Sequence, residues 1–170
     1  MTVRWKTFVG AAVVAALVMG PVAAGPALAK KKKKESMKAS LSAGGKFNGQ
    51  KKFLFAVYSA PGNVVTLSGT SIKRRGRSVL TRILNMGCSA DIKGPLPVTV
   101  GCASQYAETG FKGRTVIDKG WGGEGLSVTF TSYDGTRVTG TFSGTLVANN
   151  GGLAPLTFSN GSFSLILDAQ

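Results

Sequence analysis

Groups that commonly act as acids, bases or nucleophiles are few in this sequence. The 170 residues include no histidine, so neither a Ser-His-Asp nor a Cys-His arrangement can form. The remaining option is a pair of carboxylates, which can cleave a glycosidic bond. Glu108, Asp118 and Glu124 are the candidates, although each also suits an exposed loop or strand. We therefore expect the protein not to be an enzyme, and glycoside cleavage is the third hypothesis for its function.

A second candidate site is glycine-rich. The stretch GWGGEG at residues 120–125 lacks the strand-to-helix context of a nucleotide site. Its aromatic residue, Trp121, is predicted to lie in a loop, where an indole ring can cover the apolar face of a sugar. The alternative is that Trp121 folds back over the end of the domain.

Positive charge is concentrated in two short stretches. The candidate anion-binding residues are Lys30, Lys31, Lys32, Lys33 and Lys34 in the first stretch and Lys73, Arg74, Arg75 and Arg77 in the second. The second stretch is predicted to be a hairpin tip that forms one basic surface with the first stretch and with Lys51 and Lys52. Such a surface attracts phosphate or sulfate polymers, nucleic acid or anionic lipid. The alternative is a solvated hairpin tip that protects an edge strand from aggregation.

Aromatic residues near the second basic stretch bear on which anion is bound. Stacking of bases on exposed aromatic rings accompanies most recognition of single-stranded nucleic acid. The nearby rings of Phe53, Phe55 and Tyr58 are predicted to be in the core. We therefore expect no sequence-specific binding of nucleic acid.

The first 29 residues have the organisation of a secretory signal peptide. A short basic segment precedes an uncharged stretch, residues 7–29, which ends in an Ala-x-Ala triplet at Ala27 and Ala29. Cleavage is predicted before Lys30. The alternative is an uncleaved anchor, because the stretch is long enough to cross a bilayer. Helix-breaking glycines and prolines favour cleavage, so we expect a protein that is not transmembrane after cleavage and is periplasmic or extracellular.

The length and charge of the mature chain indicate its number of domains and its class of partner. Cleavage leaves 141 residues, which suits a single domain with a substantial core. The whole chain has 21 basic and 7 acidic residues and a net charge of +14; the mature chain keeps 19 of the basic residues and has a net charge of +12. This excess favours polyanionic partners or surfaces.

The chain contains two cysteines, Cys88 and Cys102. In an exported protein two thiols usually pair, so a disulfide is expected. Closing this short loop stabilises the fold by about 3 kcal/mol in the chain-entropy model. Two cysteines without histidine do not make a zinc site, and we expect no metal or other cofactor.

Alternating apolar and polar residues predict β-strands. Along residues 137–147, the residues Val138, Gly140, Phe142, Gly144 and Leu146 share one face. The two glycines on that face indicate a bend, a bulge or the close approach of a large neighbour. Residues 125–131 alternate in the same way, and Asp134-Gly135 between the two stretches predicts a hairpin.

The other predicted strands are separated by turn signals at residues 61–63 and 74–77, and Asn160-Gly161 is a turn or bulge signal within the last of them. Those strands lie at residues 38–47, 52–60, 64–72, 78–85, 97–102, 105–109 and 157–167. Many short strands with glycine-rich turns predict an all-β domain, either an antiparallel β-sandwich or a small barrel. We place this domain at residues 39–170, after a signal peptide at residues 1–29 and a disordered lysine-rich arm at residues 30–38.

The C-terminal third carries a recognisable pattern, GxVxGTFxGTL followed by NGxF. The matching residues are Val138, Gly140, Thr141, Phe142, Gly144, Thr145, Leu146, Asn160, Gly161 and Phe163. In this respect the chain resembles a family of uncharacterised bacterial exported β-domains, many of them lipoproteins. The resemblance implies a β-sandwich or calycin-like barrel and supplies no activity or catalytic residues. The basic arm, the cysteine pair and the absence of a lipid-attachment cysteine depart from that family.

These observations predict a monomeric, exported, non-catalytic binding domain. Its partner is expected to be an anionic polymer or an anionic membrane surface, held by the arm and the hairpin, with Trp121 as a candidate sugar contact. The alternative is a structural or assembly protein of the cell envelope with a protein partner.

Overall fold

Nine β-strands make up most of the computed structural model, which describes residues 34–168. They are β1 (Ser36–Leu41), β2 (Lys46–Asn48), β3 (Leu54–Ser59), β4 (Val64–Arg75), β5 (Ser78–Ser89), β6 (Val98–Lys112), β7 (Thr115–Tyr133), β8 (Arg137–Ala148) and β9 (Leu156–Asp168). Single turns of 3₁₀ helix lie at Lys51–Phe53 and Ala60–Gly62. The predicted signal peptide and the lysines Lys30 to Lys33 fall outside the described residues.

Seven of the strands close into a barrel. Strands β3 to β9 pair in chain order, each antiparallel to the next, and the end of β9 returns to β3 in a short parallel pairing of Ala56 with Leu167 and Val57 with Asp168. Strand β1 pairs with the earlier part of β9 along the same edge, and β2 pairs with β1. The all-β prediction is confirmed, and of the two architectures left open the structure has the closed barrel.

The barrel interior is filled by the apolar face of each strand. Phe130 of β7, Phe142 of β8 and Phe163 of β9 are buried, and of the five residues predicted to share a face on β8 only Gly144 is partly exposed. Tyr106 on β6 lies at the centre of an aromatic cluster, with its ring centroid 6.4 Å from Phe47, 5.7 Å from Trp121 and 5.3 Å from Phe158. Tilted and edge-on contacts of this kind add to the stability gained from burial alone.

The glycines of the C-terminal pattern make room for aromatic rings on the facing strand. Gly140 of β8 is in register with Phe163 of β9, and Phe142 of β8 is in register with Gly161 of β9. A methyl group on Gly140 would lie 2.5 Å from Cζ of Phe163, and one on Gly161 would lie 2.7 Å from Cγ of Phe142. Each ring therefore covers the glycine opposite. Of the interpretations left open for the two predicted glycines, Gly140 has a large neighbour, and a register shift between Phe142 and Gly144 marks a bulge at the second.

The turns between strands follow their sequence signals. Asp134 Oδ1 accepts hydrogen bonds from the backbone N–H of Arg137 at 2.7 Å and of Thr136 at 3.1 Å, which closes the β7–β8 hairpin. These two bonds hold the pKa of Asp134 below its usual value. Asn160, with a φ of 50°, is the extra residue of a bulge inside β9.

Three predicted boundaries are wrong. The arm was expected to extend to residue 38, but β1 begins at Ser36, because Met37 is fully buried and alternates with Ala39 and Leu41 against β9. The predicted strand at residues 38–47 is a hairpin of β1 and β2. The two strands predicted at residues 97–102 and 105–109 are one strand, β6, whose pairing with β7 shifts between Cys102 and Ser104.

The predicted disulfide is confirmed. Cys88 of β5 and Cys102 of β6 are directly opposite each other in the sheet, with a Cα–Cα distance of 4.4 Å, and their sulfur atoms are bonded. This spacing is that of a non-hydrogen-bonded antiparallel pair, whose side chains approach most closely.

Substituting either covered glycine with alanine should destabilise the barrel, because the new methyl group has no space against the facing ring. We expect Gly140→Ala and Gly161→Ala each to lower the free energy of unfolding by about 1–3 kcal/mol in urea denaturation. The control is Gly101→Ala on β6, where nothing lies within 4 Å of the added methyl group. Equal stability of the three variants would contradict the packing described.

Removing the disulfide should also lower the free energy of unfolding by a measurable amount. The double variant Cys88→Ala and Cys102→Ala is expected to lose about 3 kcal/mol of unfolding free energy, since the bond closes a short loop in the unfolded chain. Reductant should destabilise the wild type by a similar amount and leave the double variant unchanged. A wild type insensitive to reductant throughout its unfolding transition would argue against the bond.

Candidate functional site

Four strands extend past the barrel at one end and form two hairpins. Arg75 pairs with Ser78, which leaves Gly76 and Arg77 as a two-residue turn, and Lys112 pairs with Thr115, which leaves Gly113 and Arg114. The glycines have φ values of 56° and 62°, a region that glycine adopts without strain and that tight hairpin turns require. We call residues 72–80 and 110–117 the basic lip.

The lip gathers cations from both hairpins. The predicted residues Lys73, Arg74, Arg75 and Arg77 are all exposed on the first hairpin, and Lys112 and Arg114 are exposed on the second. Sequence reasoning missed these last two. The signal was present, because Lys112-Gly113-Arg114 repeats the basic-Gly-Arg spacing of Arg75-Gly76-Arg77. Neighbouring β5 and β6 bring the two hairpins side by side.

None of these cations is neutralised within the described part of the chain. Over residues 34–168 the one ion pair joins Arg82 Nε to Glu108 Oε1, at 2.8 Å. Six exposed cations on adjacent hairpins, with no carboxylate of the described residues within 4.0 Å, create a positive potential that attracts anions. The electrostatics of the lip therefore favour an anionic ligand.

A cleft beside the lip adds further basic groups. It has a volume of about 680 Å³ and lies between the β1–β2 hairpin and the end of β4, where Lys46, Lys73 and Arg82 line it. Gln50 donates from Nε2 to the carbonyl of Ile72 at 3.0 Å and so holds this segment against β4. Lys51 and Lys52 follow in the adjacent 3₁₀ turn and are exposed. That these two lysines share one basic surface with the hairpin stays a prediction.

Lys34 lies at the opposite end of the barrel. Two residues after it, Ser36 is in register with Ser164, close to the end of β9 that pairs with β3. Strand β4 starts near that end and runs 12 residues to Arg75 at the turn of the lip, a distance of roughly 36 Å at the usual rise per residue. The prediction of one surface shared by Lys34 and the hairpin arginines is therefore wrong, because β1 enters the sheet at the far end.

Trp121 is not a surface residue. It lies within β7 and is 6% exposed, and its Nε1 donates to the carbonyl of Ala154 at 3.0 Å. The prediction of a loop tryptophan in contact with sugar is wrong. The glycines on either side let β7 continue, because a methyl group on Gly120 or Gly122 would meet the Asn149 side chain at 2.9 or 3.1 Å.

The three candidate carboxylates occupy different environments. Glu108 accepts hydrogen bonds from Arg82 and Tyr106 at one end of the barrel interior. Asp118 pairs with Thr109, the residue after Glu108, and so faces the other side of the sheet. Glu124 lines an outer trough of about 470 Å³ that it shares with amides, among them Asn85 and Asn149. The arrangement does not bring Glu108 and Asp118 together as an acid–base pair.

Tyr106, Glu108 and Arg82 form a polar chain from the core to the lip end. The Tyr106 hydroxyl donates to Glu108 Oε1 at 2.9 Å, and Arg82 Nη1 donates to the carbonyl of Lys46 at 2.9 Å. Burial raises the pKa of Tyr106 far above its usual value, and the charge of Glu108 together with the hydrogen bond raises it further. These contacts position the β1–β2 hairpin over the barrel end.

Comparisons with protein-family models, curated proteins and solved structures found no match. The resemblance to exported bacterial β-domains therefore stays a prediction. Within residues 34–168, no helix is both long and apolar enough to cross a membrane. The same residues contain no group of three or more metal-binding side chains.

The buried phenol should make stability depend on pH at the alkaline end. Unfolding exposes Tyr106, which then ionises near pH 10, whereas the folded protein keeps the proton. The free energy of unfolding should therefore fall as pH rises above about 10. The fall should be less steep for Tyr106→Phe, whose other titrating groups are the same. Equal slopes in urea denaturation at several pH values would contradict the burial of this hydroxyl.

Proposed function

We propose that this protein is an exported, non-catalytic β-barrel domain that binds an anionic polymer or surface through its basic lip. The observation that carries the proposal is the lip itself, with six exposed cations on two adjacent hairpins and, within residues 34–168, no ion pair to neutralise them. Long Lys and Arg side chains on two rigid turns suit sulfate or phosphate groups spread over a surface.

Two further features support this proposal. A cysteine pair in register within the sheet suits an oxidising compartment outside the cytoplasm. The lysine-rich arm adds positive charge to the same chain, so it increases attraction to an anion at long range. Because Lys34 is remote from the lip, the arm and the lip act as separate elements in this proposal.

A salt titration of the mature chain tests the proposal. Binding to sulfated polysaccharide, duplex DNA and anionic vesicles should be measurable at low salt and should weaken as salt rises. For duplex DNA, log affinity decreases linearly with log salt concentration, and the magnitude of this slope should decrease by about 0.9 for each phosphate-contacting cation removed. The triple variant Arg74→Gln, Arg75→Gln and Arg77→Gln should therefore bind more weakly and with a shallower slope.

The control removes the same charge elsewhere. Lys34→Gln, Lys38→Gln and Lys93→Gln lie away from the lip, and we expect a much smaller loss of affinity from this triple variant. An equal loss in both variants would show that net charge acts without a site. No binding by the wild type to any of the three ligands at low salt would overturn the proposal.

A further inference from the structure

The lip exposes apolar side chains among its cations. Over residues 34–168, three large apolar side chains are more than half exposed, and two of them belong to the lip: Phe111 at 55% and Val116 at 67%, the third being Val147 at 61%. Phe111 and Val116 are directly opposite each other on β6 and β7. Exposed apolar residues grouped in this way commonly mark a binding surface.

These residues form one row across the four strands of the lip. Arg74 is in register with Val79, Val79 with Phe111, and Phe111 with Val116. Residues in register on neighbouring strands share a face of the sheet. The row is therefore an apolar strip with a cation at one end and the arginines Arg77 and Arg114 in the adjacent turns. Asp118, two residues beyond Val116, limits the strip on the side away from the turns.

A small apolar cleft lies on the opposite face of the lip, because Leu80 and Ile117 alternate with Val79 and Val116 along their strands. Leu80 and Ile117 line it together with Phe111, and its volume is about 220 Å³. Lys73, Arg75 and Lys112 surround the same cleft. Apolar and cationic groups are therefore interleaved throughout the lip.

We propose that the lip docks on an anionic lipid bilayer, with Phe111 and Val116 entering the boundary between headgroups and acyl chains. The inference rests on the proposed function and specifies its ligand. A soluble polyanion offers charge alone and leaves the apolar strip in water, whereas an anionic bilayer offers phosphates and hydrocarbon together. The apolar row lies one residue pair behind the Lys112–Thr115 turn, about 3.3 Å, within the depth of roughly 5–10 Å that interfacial elements occupy.

The arginines fit this orientation. Their long side chains extend toward lipid phosphates while the apolar residues lie deeper. Binding of this kind combines buried apolar area with attraction to anionic headgroups. It therefore weakens with salt less completely than binding to a sulfated polymer, which is held by charge.

A tryptophan reporter tests insertion directly. In Phe111→Trp, the only other tryptophan of the mature chain is the buried Trp121. Vesicles of phosphatidylcholine with phosphatidylglycerol should shift the emission of the new tryptophan to the blue. Vesicles with brominated acyl chains should quench it, and dextran sulfate should do neither. A bound protein without shift or quenching would overturn insertion.

A pair of matched variants separates this inference from the proposed function. Phe111→Ser with Val116→Ser keeps every charge, and we expect it to lower affinity for the anionic vesicles about tenfold and to leave affinity for dextran sulfate unchanged. The control is Val147→Ser, an equally exposed apolar residue outside the lip, which should change neither affinity.

The other outcomes are decisive as well. Wild-type binding to dextran sulfate without binding to vesicles would overturn bilayer docking and leave the proposed function standing. An equal loss toward both ligands in the double serine variant would also overturn bilayer docking. Wild-type binding to neither ligand would overturn both proposals.

Discussion

Closure of the sheet by β9 is the constraint on which the rest of the structure depends. This strand pairs with β8 along one edge and with β1 and then β3 along the other. Closing a sheet removes the exposed strand edges that would otherwise pair with other chains. It also fixes an interior of limited width, which must be filled. The paired glycines and rings, Gly140 with Phe163 and Gly161 with Phe142, allow β8 and β9 to approach closely enough for this.

Closure also explains why one end of the barrel differs from the other. The pairings that form the barrel use only part of β4 to β7, so the remaining residues project as the lip. There each strand has neighbours but no barrel interior to cover. Phe111 and Val116 lie on the outer face of this projecting sheet, the face that Asp118 shares, and remain exposed. Cations in the turns keep this projecting sheet soluble and disfavour edge pairing, and the same cations provide the attraction on which the proposed function depends.

Much of the fold could be predicted from local patterns. The alternation along residues 137–147 gave the buried face of β8 correctly, and Asp134-Gly135 gave its hairpin. Local patterns failed where packing against distant residues determines the secondary structure. Nothing local distinguishes a glycine-rich loop from β7 at Trp121, because the strand continues only once the indole packs on Tyr106 and Asn149 covers the glycines. Met37 was likewise missed, although it alternates with Ala39 and Leu41, because the charged residues before it made it look like part of the arm.

Only the contiguous part of the candidate site could be predicted from the sequence. The run Lys73 to Arg77 is contiguous, so its charge is visible in the sequence. Lys112 and Arg114 join it only through the pairing of β5 with β6, which links residues more than 30 positions apart. The position of Lys34 at the far end depends on where β1 enters the sheet, and no local pattern fixes that.

Mapping a bound anion on the barrel shows whether the basic lip is the binding site. Amide signals of the mature protein should be followed by two-dimensional NMR as a short sulfated oligosaccharide is added at low salt. We expect the largest shifts at Gly76, Gly113 and their neighbours in the lip, and little change at the opposite end, at residues such as Ser36 and Lys93. Shifts centred on that opposite end, or on the outer trough around Asn85 and Asn149, would contradict it.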